Sequence, residues 1–442
     1  MALIKRMFLC LVILAVFFSG KDGELTFEEY KSQFIAGFSS LGIPPIEYSY
    51  RDYFTSIPAA TVLNSQESFF TRQMSMLSAV KHVASLKGHE RLAYAHIRYE
   101  LQFNLQRIKL EQQWVRNGRN VPEHGLSGLP DNDEWYKLFI QKFTSVKMSP
   151  GEVLAIGHGE VRRVKDEINK IKSALGFSDD ESFYKHLSND SFYLRDKEEI
   201  LQRFARADSV IRGTLSNFIK VPNLPPVYAM EWPGAGQYTP PGIYLNHTQN
   251  AYGRDVFQFN FYNNRYNRRS LEWIYMHEAI PGHHLQSSMA ARTELQRLFV
   301  YPGNFEGWAC YVEYYGKDLG MYKDLYSRLG KWEWDLVRSA RVVIDAGIHY
   351  KGWSKEEALA YWKSTIPGQD DIAEREVTRV MNWCGQALSY KIGASYIEQV
   401  KVQWLEKNPR GSVQEFHSGF INLGNVPLEI LDKSSVLDQQ VD

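Results

Sequence analysis

The chain has 442 residues, 44% of them apolar and 14% aromatic, enough to bury a large core. General disorder is excluded, and the length allows roughly two or three core units. Its 51 Lys+Arg balance 51 Asp+Glu, so the positive field that nucleic-acid binding requires is missing and no nucleic acid is expected as a partner.

Lys5 and Arg6 precede an unbroken apolar run from Met7 to Phe18, followed by Ser19 and Gly20. This layout predicts a secretory signal over residues 1–20 and an exported mature chain, in the periplasm, in the cell envelope or secreted. A bilayer span needs about 20 apolar residues, so no membrane span is expected in the mature chain. A lipid anchor would need a small residue before its Cys, and Cys10 follows Leu9. Residues 21–442 read as a single helical domain with a possible subdomain boundary near 117–133. Cys310 and Cys384 then remain as the two thiols of the mature chain and read as buried and free.

From Leu25 to Trp114 apolar residues recur at helical spacing, for example Phe69, Leu77, Val80 and Val83, which predicts several packed helices. Asn117 to Asp133 is rich in Gly, Pro and Asn and predicts a loop. Ser149-Pro150-Gly151-Glu152 is a helix start with a capping box. The helix it opens buries Val161, Val164, Ile168, Ile171 and Leu175 on one stripe and stops at Gly176. Prolines punctuate residues 222–262, where Gly242–Asn246 and Asp255–Phe261 read as short strands of one small sheet. Helices resume at Glu272–Ile280, Glu306–Leu319, Trp332–His349, Glu356–Trp362 and Ile372–Trp383.

The chemistry concentrates in His277-Glu278-Ala279-Ile280-Pro281-Gly282-His283-His284. A helical zinc hydrolase places its second His four residues after the first, with a Glu between them acting on water. Here that position is Pro281, and both His283 and His284 are displaced candidates. An ideal helix does not choose between them; a kink or bulge at Pro281-Gly282 would make His283 the ligand. A carboxylate can come from a second helix, where Glu306 and Glu313 are seven residues apart and share a face.

The run HEAIPGHHLQ followed by FEGWACYVEYY resembles the bacterial family called domain of unknown function 885, itself similar to helical zinc peptidases such as the carboxypeptidase Taq family and angiotensin-converting enzyme. SPGEVLAIGHGEVRRV, PPGIYLN, ARVVIDAGIHYKGWS and GQALSYKIG extend the resemblance over about residues 60 to 400. It implies a mainly α, two-lobed, zinc-peptidase-like architecture with a small β-sheet near the active site. It also implies His277, His283 and Glu306 as ligands to Zn2+ and Glu278 as general base. Cys310 stands where the family usually has Leu, and Cys384 where it often has Pro.

Zinc held by two imidazoles and one carboxylate keeps a place open for water and lowers its pKa towards 7, and Glu278 can take and return the proton. Arg341, Asp345 and His349 recur every four residues, so Asp345 is expected to orient or charge His349, which would stabilise the reacting carbonyl, with Arg341 binding substrate. Tyr390 is a candidate oxyanion donor, and Arg379 and Lys391 are candidate substrate-binding cations, Arg379 through a fork suited to a terminal carboxylate. Tyr244 to Asn246 is expected to be an edge strand that pairs with an extended peptide. The expected function is an exported zinc-dependent metallopeptidase acting on short peptides, with an exopeptidase favoured. The alternatives are a zinc-dependent amidase or esterase, and a non-catalytic metal-containing cell-envelope protein.

Overall fold

The computed structural model describes residues 25–118, 120–220, 223–289 and 293–433; the signal expected at 1–20, with Cys10, lies outside them. The chain is mainly helical, with 67% helix and 4% strand. Its first half contains α1 (Phe27–Ser40), α2 (Tyr50–Ser56), α3 (Ala60–Ala79), α4 (Gly88–Asn117), α5 (Asn132–Thr144), α6 (Pro150–Ala174), α7 (Asp180–Leu187) and α8 (Lys197–Phe218). Five short strands follow or interleave: β1 (Tyr193–Leu194), β2 (Tyr228–Glu231), β3 (Gly242–Leu245), β4 (Val256–Phe259) and β5 (Tyr266–Asn267). Then come α9 (Leu271–Glu278), α10 (His283–Met289), α11 (Glu294–Arg297), α12 (Pro302–Val312), α13 (Leu325–Ala346), α14 (Lys355–Thr365), α15 (Ala373–Asn382), α16 (Leu388–Lys407), α17 (Val413–Asn422) and α18 (Glu429–Lys433).

The local signals act as elementary chemistry requires. Ser149 accepts the Glu152 N–H while the Glu152 carboxylate accepts the Ser149 N–H, and α6 buries Val161, Val164, Ile168 and Ile171. Leu175 is the C-cap, half-buried and packed against the same core as that stripe, and Gly176 follows at φ +86°. The long α4 carries a stripe the sequence reading missed. His96, Glu100, Asn104, Arg107 and Glu111 are all buried, and they satisfy one another: Arg107 donates to Asn104, Glu111 and Gln66, and Tyr301 donates to Glu100.

The three-stranded sheet has the order β2-β4-β3, with β2 parallel and β3 antiparallel to β4, so β3 lies at an edge. β1 and β5 pair separately. Helices α12 and α16 pack with their backbones nearly touching. A Cβ on Gly307 would lie 2.7 Å from the Gly393 backbone, and one on Gly393 would lie 2.4 Å from the Gly303 carbonyl oxygen. That approach sets Glu306 on α12 against Tyr390 on α16. Cys310 and Cys384 are buried free thiols. No helix among the described residues is long and apolar enough to cross a membrane.

Candidate metal centre

The two histidines meet because the helix that carries the first one ends. α9 stops at Glu278, Ala279 leaves helical geometry at φ −103° and ψ −100°, the Ile280-Pro281 peptide is cis, and α10 starts at His283. The expected local bulge in a continuous helix is therefore corrected to a break between two helices. Gly282 makes the return possible: a Cβ there would stand 1.9 Å from the His277 carbonyl oxygen and 2.4 Å from that of Met276. Any side chain at this position would collide with the last turn of α9.

His277 Nε2 lies 3.5 Å and His283 Nε2 3.4 Å from one oxygen of Glu306, and the donor atoms of the three residues all lie within 4.8 Å of one another. These separations exceed those of good hydrogen bonds, about 2.7–3.2 Å. They suit an ion: tetrahedral zinc with ligands at about 2.0–2.2 Å needs neighbouring donors about 3.3–3.6 Å apart. The ring of His283 is fixed by stacking on Phe305, with centroids 4.0 Å apart and planes at 15°.

Glu313 lies at the other nitrogen of His277, where with Cys310 it forms a second group whose donor atoms lie within 4.8 Å of one another. Its carboxylate lies 2.9 Å from His277 Nδ1 and accepts from Arg338 at 2.7 Å. A carboxylate paired to Arg only accepts, so His277 donates from Nδ1 to Glu313, and its Nε2 is left turned towards Glu306 and His283. Arg338 Nη2 also approaches Nδ1, at 3.3 Å, but two donors cannot share a bond and the shorter carboxylate contact decides the tautomer. Burial pushes the Glu306 carboxyl up, but His277 and His283 outweigh it and hold the group well below the usual range. In Glu313 the same burial is overcome by Arg338 and His277. His284 turns the other way, with Nε2 2.9 Å from the Pro225 carbonyl oxygen and Nδ1 3.2 Å from Asp255. His283 is thus the histidine that shares the cluster.

Glu278 is buried, and one of its oxygens accepts the backbone N–H of Tyr244 on the edge strand at 2.8 Å. Tyr390 stacks beside His277 at a centroid distance of 6.5 Å. Its oxygen accepts from Arg379 at 3.0 Å and, more weakly, from Gln386 at 3.4 Å. Burial, and then the negative charge of Glu306, raise its phenol pKa.

Residues 106–434 match the family described as bacterial protein of unknown function DUF885. The chain belongs to that family. No curated protein matches it. Among solved structures it is similar to a protein of Colwellia psychrerythraea provisionally described as a lipoprotein, at 24% identity over 93% of this chain and 74% of that one, with a TM-score of 0.64. It is also similar to a protein of unknown function from Shewanella oneidensis with the same provisional description, at 16% identity over 97% of this chain and 91% of that one, with a TM-score of 0.61. At such identities the likeness shows the fold.

Several other predicted residues of this DUF885 chain stand away from the cluster or are otherwise engaged. His349 is enclosed by Tyr50 and Tyr136 and bonds to the Val380 carbonyl oxygen at 2.8 Å. Asp345 does not pair with it; its oxygens accept from Tyr136 and the Gly385 N–H. The four-residue stripe fails because α13 gives way to a wider turn over Gly347–Lys351. Lys391, expected to bind substrate, is held by Asp335, Glu160 and Tyr314 instead. Asn246 spends its side-chain oxygen on Thr248 in the turn after β3. Arg341 is buried against Glu376 and lies over the Tyr390 ring. The residues that sequence reasoning missed are Arg338, Phe305, Gln386 and the backing role of Glu313. For Arg338 a faint signal existed, since it lies one turn before Arg341 on one helix.

Proposed function

We propose that this DUF885 chain is an exported, zinc-dependent hydrolase of short peptides. The observation that carries the reading is the convergence of His277, His283 and Glu306 within 4.8 Å, beside a Glu278 carboxylate anchored to an edge strand. Export is supported by the signal-like residues 1–20 and by the provisional lipoprotein description of the two solved relatives.

Zinc, when bound by these three residues, supplies Lewis acidity towards a carbonyl and towards water. Tyr244 directs its N–H at Glu278 and away from β4, so the outer edge of β3 runs beside that carboxylate. An extended peptide adds there by main-chain pairing, which sets its scissile bond beside Glu278. Glu278 takes a proton from the attacking water and returns it to the leaving amine. Tyr390 accepts from Arg379 and Gln386, so its own proton is free to stabilise the developing oxyanion.

The test is metal analysis of the purified chain, followed by product profiling on a mixed library of short peptides. The expected result is about one zinc per chain and release of amino acids or short fragments. A chain that holds no zinc after loading, or a loaded chain that leaves the library intact, overturns the reading.

A further inference from the structure

The aromatic surface at the proposed centre extends beyond the ligands. Phe305 stacks on His283, and Tyr390 lies beside His277. Both rings are half-buried, so each keeps some surface open next to the cluster. Arg379 leads outward from Tyr390: its guanidinium lies 5.7 Å from the Tyr390 centroid and 5.2 Å from that of Trp383. Trp383 in turn meets Tyr48, with centroids 5.4 Å apart. Partial burial raises the Tyr48 phenol pKa, and Glu306 and Tyr390 add to the shift while Arg379 opposes it, so this ring belongs to the same neighbourhood.

Tyr48 is 41% exposed, yet its place is fixed. Glu47 pairs with Lys142 at 2.7 Å, Ser49 accepts the Asp52 N–H at the start of α2, and Tyr50 donates to the Pro122 carbonyl oxygen at 3.0 Å. The Tyr48 ring also meets the buried Phe143, at a centroid distance of 6.1 Å. Trp383 is half-buried, and its N–H bonds to the Arg379 carbonyl oxygen at 2.9 Å. Arg379 donates to Gln386 and Tyr390 at 3.0 Å each, so it is held between the rings it packs against. A lone exposed aromatic is ordinary on a protein surface. This one is continuous with Trp383 and, through Arg379, with Tyr390 at the centre. Because folding has already ordered both rings, covering them gains apolar burial at little further ordering cost.

We infer that Tyr48 and Trp383 form a recognition surface for a large apolar side chain of the substrate, an aromatic one above all, carried by a residue close to the bond that is cut. Aromatic rings meet one another in preferred tilted or offset arrangements, and a contiguous open apolar patch beside a reaction centre is where a ligand gains most from burial. The inference deepens the peptidase reading and rests on it for the word substrate; the ring surface is tested in binding as well as in turnover.

Four free tripeptides give the comparison: trialanine and the three in which one Ala is replaced by Phe. Binding to the metal-stripped full chain is measured by calorimetry, and kcat and KM are measured in the zinc-loaded chain. In at least one position Phe is expected to strengthen binding by about tenfold or more, the order that burial of such a side chain gives. With zinc the same advantage is expected in KM, with kcat changed less. Tyr48→Ala and Trp383→Leu are expected to reduce it to about threefold or less, and Tyr48→Phe, which keeps the ring, to retain it. Four outcomes overturn the surface: no advantage for Phe at any position, an equal advantage for Glu in its place, an advantage that survives both Tyr48→Ala and Trp383→Leu, or one lost as fully in Tyr48→Phe. A Tyr48-dependent Phe advantage in binding, in a chain that with zinc cleaves none of the peptides, keeps the surface and removes the peptidase reading. Cleavage of all four peptides with equal efficiency does the reverse.

Discussion

Two buried clusters in this molecule combine histidine, carboxylate and tyrosine, and they are built on different plans. Around His277 the donor atoms point at one another: two Nε2 atoms face a single Glu306 oxygen at 3.4–3.5 Å, and Glu313 backs the ring from behind. Around His349 the polar groups turn to separate partners, and only the buried Nδ1 of His349 itself is left without one. His349 bonds to a backbone carbonyl, and Asp345 to a tyrosine and a backbone N–H. The residue types and the burial are nearly the same. Convergence on a shared point is the arrangement that the proposed ion site needs, whereas dispersal among separate partners is the arrangement of a core that satisfies most of its polar groups.

The sharpest way to break this contrast is through Glu278. Glu278→Gln is expected to keep its zinc and fold and to lose about 10²–10⁴ in turnover, as removal of a general base does. Metal content measured beside peptide hydrolysis checks this, and full activity in that variant would take the general base away from the convergent cluster.

The dispersed cluster has its own signature, in stability. Burial raises the Asp345 carboxyl from 3.8 to about 7, against the bonds from Tyr136 and Gly385. A raised folded-state pKa means that the folded chain binds the extra proton. Its contribution is fully present below the unfolded value and is lost as pH rises through about 7. About three pH units correspond to on the order of 4 kcal/mol. The unfolding free energy of the native chain, relative to that of Asp345→Asn, is expected to fall by that order between pH 4 and pH 8 in urea titrations. A flat difference would mean that Asp345 is already ionised, and that this region too holds an active charge.

A smaller effect separates the two carboxylates of α12 and its extension. Glu306→Gln should weaken zinc by removing the one anionic ligand, with activity partly restored by added zinc. Glu313→Gln should cost about 10–100-fold in zinc affinity by loosening the His277 tautomer. Zinc titrations of both variants rank them, and the reverse order would exchange their roles.

The sequence was most legible where a signal is local. The capping box at Ser149, the buried stripe of α6 and the two short strands all follow from spacing alone, and so does the grouping of His277 with a displaced histidine. Where partners come from distant segments it was opaque. The α4 stripe of His96, Glu100, Asn104, Arg107 and Glu111 has the spacing of a solvated helix face, yet Gln66 and Tyr301 meet it in the interior. Lys391 looked like a free cation because Glu160 and Asp335 lie far from it in sequence. His349 was assigned to the site by a four-residue period that holds only while the helix keeps its regular pitch.

That misassignment yields the smallest expected effect and a strict check on the contrast. His349 is fully buried, and burial lowers its pKa to about 4 despite the bond to Val380, so it is neutral at physiological pH. Its Nε2 then donates to the Val380 carbonyl oxygen. His349→Gln preserves a donor of similar reach but fills the space between Tyr50 and Tyr136 less well. A loss of about 1–3 kcal/mol of stability is expected, with zinc content unchanged and turnover within about threefold of the native chain, a span of about 0.7 kcal/mol. Measuring turnover below the unfolding transition keeps the two quantities apart. A hundredfold loss of turnover in a folded, zinc-loaded His349→Gln chain would couple the dispersed cluster to the reaction and erase the distinction between the two.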